Sequence, residues 1–165
     1  MDLAWTQSDR EPYSIENIRA GEGNAFQRHP LIENWEEQTL AIEKEFKEFF
    51  SVDMNEGWEC PEGYPEGIDQ KILAGHLDDD AKTGNRTRLL RFQPGVFTTL
   101  PFVHEHWEEV YLVSGDLIVG NDENGEGGEQ FQPNTYACRP PGAYHGPFKS
   151  EGGCLLFEIH YYDKG

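Results

Sequence analysis

The sequence predicts an all-β domain, an antiparallel sandwich or barrel, with one helix ahead of it. Two observations lead there. Beyond residue 70 the chain breaks into short strand-like runs, among them "KILAGHL", "TRLLRFQP", "VFTTLPFVH", "EVYLVSGDLIVG", "TYACRPP" and "CLLFEIHYY". Turn signals such as "DDDAKTGN", "NDENGEGGE" and "RPPGAYHGP" separate them, and short strands at such spacing close into sandwiches or barrels. The second observation is composition. A chain of 165 residues, 36% hydrophobic and 13% aromatic, fills one core, and its 18 Gly and 10 Pro supply the turns.

Residues 1–30 show no sustained period and read as an irregular arm. The next stretch, "ENWEEQTLAIEKEFKEFF", places Trp35, Ile42, Phe46, Phe49 and Phe50 on one helical face. Asn34 with Glu37 resembles a capping box, and Glu43 with Lys47 forms a favourable i, i+4 pair. A helix is therefore expected over 34–50. Its apolar face needs a cover, either the main body or a second subunit, and a homodimer is expected. A Gly/Pro loop over 53–68 follows, and then the strands. The organisation expected is one structural domain: arm, helix and loop over 1–69, barrel over 70–165.

Charge narrows the partners. With 31 acidic against 13 basic residues the net charge is −18, which repels phosphate backbones and anionic lipid, so nucleic acid and membranes are set aside. Cys60, Cys138 and Cys154 form no CxxC pair and read as reduced thiols. The start, "MDLAWTQSDREPYS", has no basic and no apolar signal region. No run approaches the ~18 apolar residues of a membrane helix. A cytoplasmic location is expected.

Two stretches carry chemistry. "PFVHEHWEEVYLVSG" holds His104, His106, Glu108 and Glu109 close together, and "RPPGAYHGPF" offers a Pro140–Gly142 turn that delivers His145 onto the following chain. Imidazoles and carboxylates are ligands that divalent transition metals accept. Along a strand, residues i and i+2 share a face about 7 Å apart, and residues i and i+4 lie about 13 Å apart. His104 and Glu108 therefore share an ion only if the chain turns sharply between them.

These residues resemble the cupin superfamily, the RmlC-like jelly rolls, whose antiparallel double-stranded β-helix then becomes the expected fold. Gly95, His104, His106, Glu108 and Gly115 carry the first family motif; Pro140, Gly142 and His145 carry the second. The resemblance spans roughly 70–162. The ending "RPPGAYHGPFKSEGGCLLFEIHYYD" is similar to the cupin domain of zinc-binding anti-sigma factors and to small dioxygenases that cleave acetylacetone and dihydroxyacetophenone. The first motif departs from the family spacing, so two alignments compete. In one, His104 and His106 form the HxH pair. In the other, His104 is the second ligand, Phe102 stands at the first ligand position, and His106 lies in the turn. The resemblance implies a metal held by His104 and His145, with His106 and Glu108 as further candidates and Glu109 as the alternative carboxylate.

Other residues have blander readings. His76 and His160 read as hydrogen-bonded strand residues, and Cys154 as a small buried hydrophobe. Phe97, Phe102, Val110 and Leu112 are expected to line the barrel, while strand alternation turns Tyr144 away from it. Arg91 and Arg139 lie near the motifs and are candidates for binding a substrate anion.

The resemblance implies a mononuclear non-haem iron dioxygenase acting on a small diketone-like or hydroxyaryl ketone-like substrate, with Zn, Ni or Mn as alternative metals. A metal-assisted isomerase, decarboxylase or lyase on a sugar or keto acid is the first alternative. A non-catalytic metal-binding or sensing module is the second.

Overall fold

The structure is a computed structural model that describes residues 44–163. Eight strands follow in order: β1 (Ile68–Asp78), β2 (Thr83–Phe92), β3 (Trp107–Gly115), β4 (Leu117–Val119), β5 (Glu129–Phe131), β6 (Tyr136–Arg139), β7 (Phe148–Lys149) and β8 (Cys154–Tyr161). They form a five-stranded sheet in the order β1-β2-β8-β3-β6 and a three-stranded sheet in the order β5-β4-β7. Every pairing is antiparallel, as the sequence predicts.

The last strand lies at the centre of the larger sheet. β8 pairs with β2 on one side and β3 on the other. Its period of two points Cys154, Leu156, Glu158 and His160 inward, and all four are buried. The pairing registers set inward residues in rows across the sheet. Leu90, Leu156 and Leu112 form one row, and Arg88, Glu158 and Val110 the next. Arg86, His160 and Glu108 form the row after that. The interior is therefore graded, apolar at one end and ionic at the other. Leu117 of the smaller sheet joins the apolar end, with Val119, Phe131 and Phe148 packed against it. Burying each such side chain stabilises by about 1.5–3 kcal/mol.

Gly115 ends β3 at a crowded crossing. Its φ is +85°, and a Cβ there would lie 2.0 Å from the Gly153 carbonyl oxygen. Only glycine fits where the two backbones approach so closely. Gly95, the other glycine of the first motif, also has positive φ (+81°) but faces open space.

Two expectations need correction. The run 96–104 is not a strand: its ladder pairing is limited to the isolated bridges Phe97–Lys149 and Phe102–His145. Pro101 lies inside it and has no N–H to give a ladder. The helix expected over 34–50 begins outside the described residues. Its described part, 44–50, is not helical, and Phe46 and Phe49 are exposed. A short segment that buries no apolar face gains little from forming a helix.

Candidate metal centre

His104 and Glu108 meet because the chain bends at Glu105 and His106, just before β3 begins. The bend satisfies the condition set by strand geometry, and brings His104 Nε2 to 3.7 Å from Glu108 Oε1. From Trp107 onward strand alternation takes over. Glu108 points into the ionic end of the barrel, while Glu109 points out and accepts a 2.8 Å hydrogen bond from the Tyr136 hydroxyl. Glu109 is therefore not the carboxylate of this site.

The Pro140–Gly142 turn behaves as its sequence predicts. The Gly142 N–H donates to the His104 carbonyl at 2.8 Å, which ties the two motifs together. Downstream, His145 and Phe102 exchange backbone hydrogen bonds of 2.8 and 3.0 Å. His145 Nε2 then stands 3.4 Å from Glu108 Oε2. One ligand atom from each of His104, Glu108 and His145 lies within 4.8 Å of the others.

The tautomers follow from the hydrogen bonds. His104 Nδ1 lies 2.9 Å from the His106 carbonyl, and His145 Nδ1 lies 3.0 Å from the Ala143 carbonyl. A carbonyl only accepts, so each Nδ1 carries a proton, and Nε2 is the nitrogen each ring turns toward the group. His104 Nε2 is buried without a hydrogen-bond partner. Two imidazole Nε2 atoms and one carboxylate are a donor set that fits a divalent transition metal, and His104, Glu108 and His145 are the residues that would hold it. A cavity of about 30 Å³, lined in part by Glu108, His145 and Arg139, adjoins them.

A second group, Glu108, Glu158 and His160, is equally compact and fully buried. Its chemistry is different. Arg88 Nε donates to Glu158 Oε2 at 2.6 Å, and Arg86 Nη2 lies 2.7 Å from His160 Nδ1. Guanidinium only donates, so His160 Nδ1 must accept and its Nε2 carries the proton. That Nε2–H is 3.3 Å from Glu108 and 3.4 Å from Glu158. The His160 Nε2–H thus faces the two carboxylates without a well-aligned hydrogen bond to either, its proton leaves no lone pair there for a metal, and two guanidiniums crowd any cation.

Charge on Glu108 is protected. Burial alone would raise its carboxyl, but His104, His160 and the Arg139 guanidinium outweigh this and hold it well below the usual carboxylate range. Arg139 Nη1 donates to Glu108 at 2.5 Å. Glu158 is likewise held low against its burial by Arg88 and His160.

His106 takes a different place. Its ring stacks flat on His104, with centroids 4.0 Å apart and planes 4° apart. Burial, followed by the neighbouring His104 and His160, lowers its pKa to about 3, so the ring is neutral and braces His104. It does not stand in the compact ligand group. Phe102 bridges to His145 and stacks on Tyr64 at 5.0 Å. This arrangement favours the alignment in which Phe102 stands at the first ligand position and His106 lies in the turn.

The expected substrate residues divide. Arg139 and Phe102 border the small cavity. Arg91 faces elsewhere, bonded to Asp69 at 3.0 Å and stacked 4.1 Å over Trp58. Phe97 packs over Gly125, away from the ligand group. Tyr144 is exposed, as alternation predicts. Glu158, Arg86 and Arg88 carry no motif that marks them in the sequence, and His160 belongs to the ionic row and is not an ordinary strand residue. Period two in "CLLFEIHYY", continued from the buried Cys154 and Leu156, was the signal that turns Glu158 and His160 inward.

Residues 58–162, which include every strand, match the family described as ChrR Cupin-like domain. No curated protein matches the chain in sequence. Among solved structures, an RmlC-like cupin from Shewanella frigidimarina is 19% identical, covers 74% of this chain and 96% of its own, and has a TM-score of 0.51. An acetylacetone dioxygenase from Acinetobacter johnsonii is 20% identical over 71% of this chain and 75% of its own, at TM-score 0.52. The polyketide cyclase RemF from Streptomyces resistomycificus is 16% identical over 71% and 81%, at TM-score 0.51. At these identities the likeness is one of fold.

Proposed function

The chain belongs to the ChrR cupin-like domain family, and from that premise we propose that it is a metal-dependent enzyme, a mononuclear non-haem iron dioxygenase acting on a small diketone-like or hydroxyaryl ketone-like substrate. The observation that carries this reading is the compact group of His104, Glu108 and His145. Two histidines and one carboxylate that leave neighbouring positions open are the ligand pattern of non-haem Fe(II) oxygenases. The acetylacetone dioxygenase of like fold adds to it.

A divalent metal held by these three residues supplies Lewis acidity and a template for substrate and O₂. The other residues set the conditions. The carbonyls of His106 and Ala143 hold the two ligand rings in the tautomer that presents Nε2. Arg139 bonds one oxygen of Glu108, His160 lies 3.3 Å from the other, and both favour the ionised form. Tyr64, Phe102 and Phe148 stack into an aromatic wall beside His145, with centroid spacings of 5.0 and 6.1 Å. That wall excludes water and suits an apolar substrate body.

The test is metal analysis of the purified chain, followed by oxygen uptake with a panel of β-diketones and hydroxyaryl ketones. Stoichiometric iron and O₂ uptake coupled to carbon–carbon cleavage are expected. Metal-dependent turnover that persists under argon would replace this reading with an isomerase or lyase. Tight metal binding without any turnover would replace it with a sensing module.

A further inference from the structure

Arg139 bonds Glu108 and borders the small cavity beside it, and it also borders a second cavity of about 160 Å³ inside the barrel, which shares Val110, Leu117 and Leu156 with the first. Val110, Leu112, Leu117, Val119, Phe131 and Leu156 make most of its wall. Neither His104, His145 nor Glu108 borders it. Ala137 of the edge strand β6 and Phe131 of the edge strand β5 bring the cavity to the edges of the two sheets. Among the described residues that line it, Arg139 alone is charged.

The guanidinium is largely buried, with 16% of its side chain exposed, and its one hydrogen bond among the described residues runs from Nη1 to Glu108. Its Nε–Nη2 edge carries no bond there. That edge is a two-pronged donor whose spacing matches a carboxylate. The local charge also favours an anion. Three inward guanidiniums, Arg86, Arg88 and Arg139, face two buried carboxylates, because Arg86 bonds a neutral His160 ring.

We propose that this cavity binds a small monocarboxylate with an apolar body, its carboxylate on the free edge of Arg139 and its body among the aliphatic side chains. Size limits the body. A dry apolar cavity of about 150 Å³ accommodates one benzene ring, so the ligand carries one such ring or an alkyl chain of similar bulk. The site does not require the metal, and it exists whether or not the chain is a dioxygenase.

Calorimetry on the full chain, freed of metal by chelation, tests this with benzoate, benzamide and toluene as probes. Benzoate is expected to bind about 10- to 100-fold more tightly than benzamide, the range of a hydrogen-bonded charge. Arg139→Met is expected to abolish that preference while leaving toluene binding unchanged. Ala137→Phe, which fills the cavity and keeps Arg139, is expected to abolish binding of all three. Equal affinity for benzoate and benzamide would overturn the proposal. So would undiminished benzoate binding by Ala137→Phe, or the absence of benzoate binding at millimolar concentration. Loss of metal binding or oxygen uptake in the companion assays would leave these results unaffected.

Discussion

At the scale of single residues, three side chains in the stretch His104–Glu108 do three different jobs. His104 turns its Nε2 to the group, His106 braces its ring, and Glu108 closes the group from the start of β3. Metal content of three variants separates these roles. His104→Ala and Glu108→Gln are expected to lose most of the metal, measured by mass spectrometry of the purified protein. His106→Ala is expected to retain it at a weakened affinity, within the 10- to 100-fold range typical of groups that support a ligand from behind. Metal retained by Glu108→Gln and lost by His106→Ala would instead restore the three-histidine alignment. Much of this site was legible in the sequence. The Pro140–Gly142 turn marked His145, and strand spacing marked the need for a bend before Glu108. The supporting arginines were not, because each acts on a residue far along the chain. Arg88 bonds Glu158 at a separation of 70 residues and Arg86 bonds His160 at 74, and no local pattern announces such pairs.

At the scale of elements, alternation was the dependable signal. The long strands β1, β2, β3 and β8 each overlap a run that the sequence displays, but only β8 lies wholly within one, and β2 begins inside the stretch "DDDAKTGN" that reads as a turn. β5 and β7 have only 3 and 2 residues, too few for any period to show. The apolar run 96–104 looked like a strand because hydrophobicity alone does not record that Pro101 cannot pair. The two motif glycines offer an element-scale test. Gly115→Ala forces a side chain into the Gly153 carbonyl at the β3–β8 crossing, whereas Gly95→Ala meets open space. Gly95→Ala is expected to cost only about 1–2 kcal/mol for its left-handed backbone. Gly115→Ala is expected to cost clearly more, since the strands must part. Urea denaturation of the two variants side by side measures the difference, and equal midpoints would show that the crossing is not tight.

At the scale of the whole molecule, the interior and the surface carry opposite characters. The net charge of −18 surrounds an ionic centre with an excess of guanidinium. A small anion is therefore repelled on approach and attracted on arrival. The Debye length falls from about 30 Å at 0.01 M salt to about 8 Å at 0.15 M. The association rate of benzoate is accordingly expected to rise with ionic strength over that range, while that of toluene stays flat. Stopped-flow or NMR exchange rates check this, and a benzoate rate that falls with salt would show that the positive interior dominates at long range.

The central position of β8 also bears on how the molecule comes into being. The strand that joins β2 to β3 is made after the other seven described strands, so the β1–β2 hairpin has no inner neighbour until Tyr161 has left the ribosome. At ordinary elongation rates that wait lasts on the order of several seconds. Until then β2 presents an open edge, Arg88 has only Gln70 and Tyr64 to bond and not Glu158, and Arg86 has no His160. The topology thus makes assembly slow and nearly all-or-none, a consequence of high contact order. A nascent chain stalled short of β8 would be a target for chaperones and a seed for aggregation.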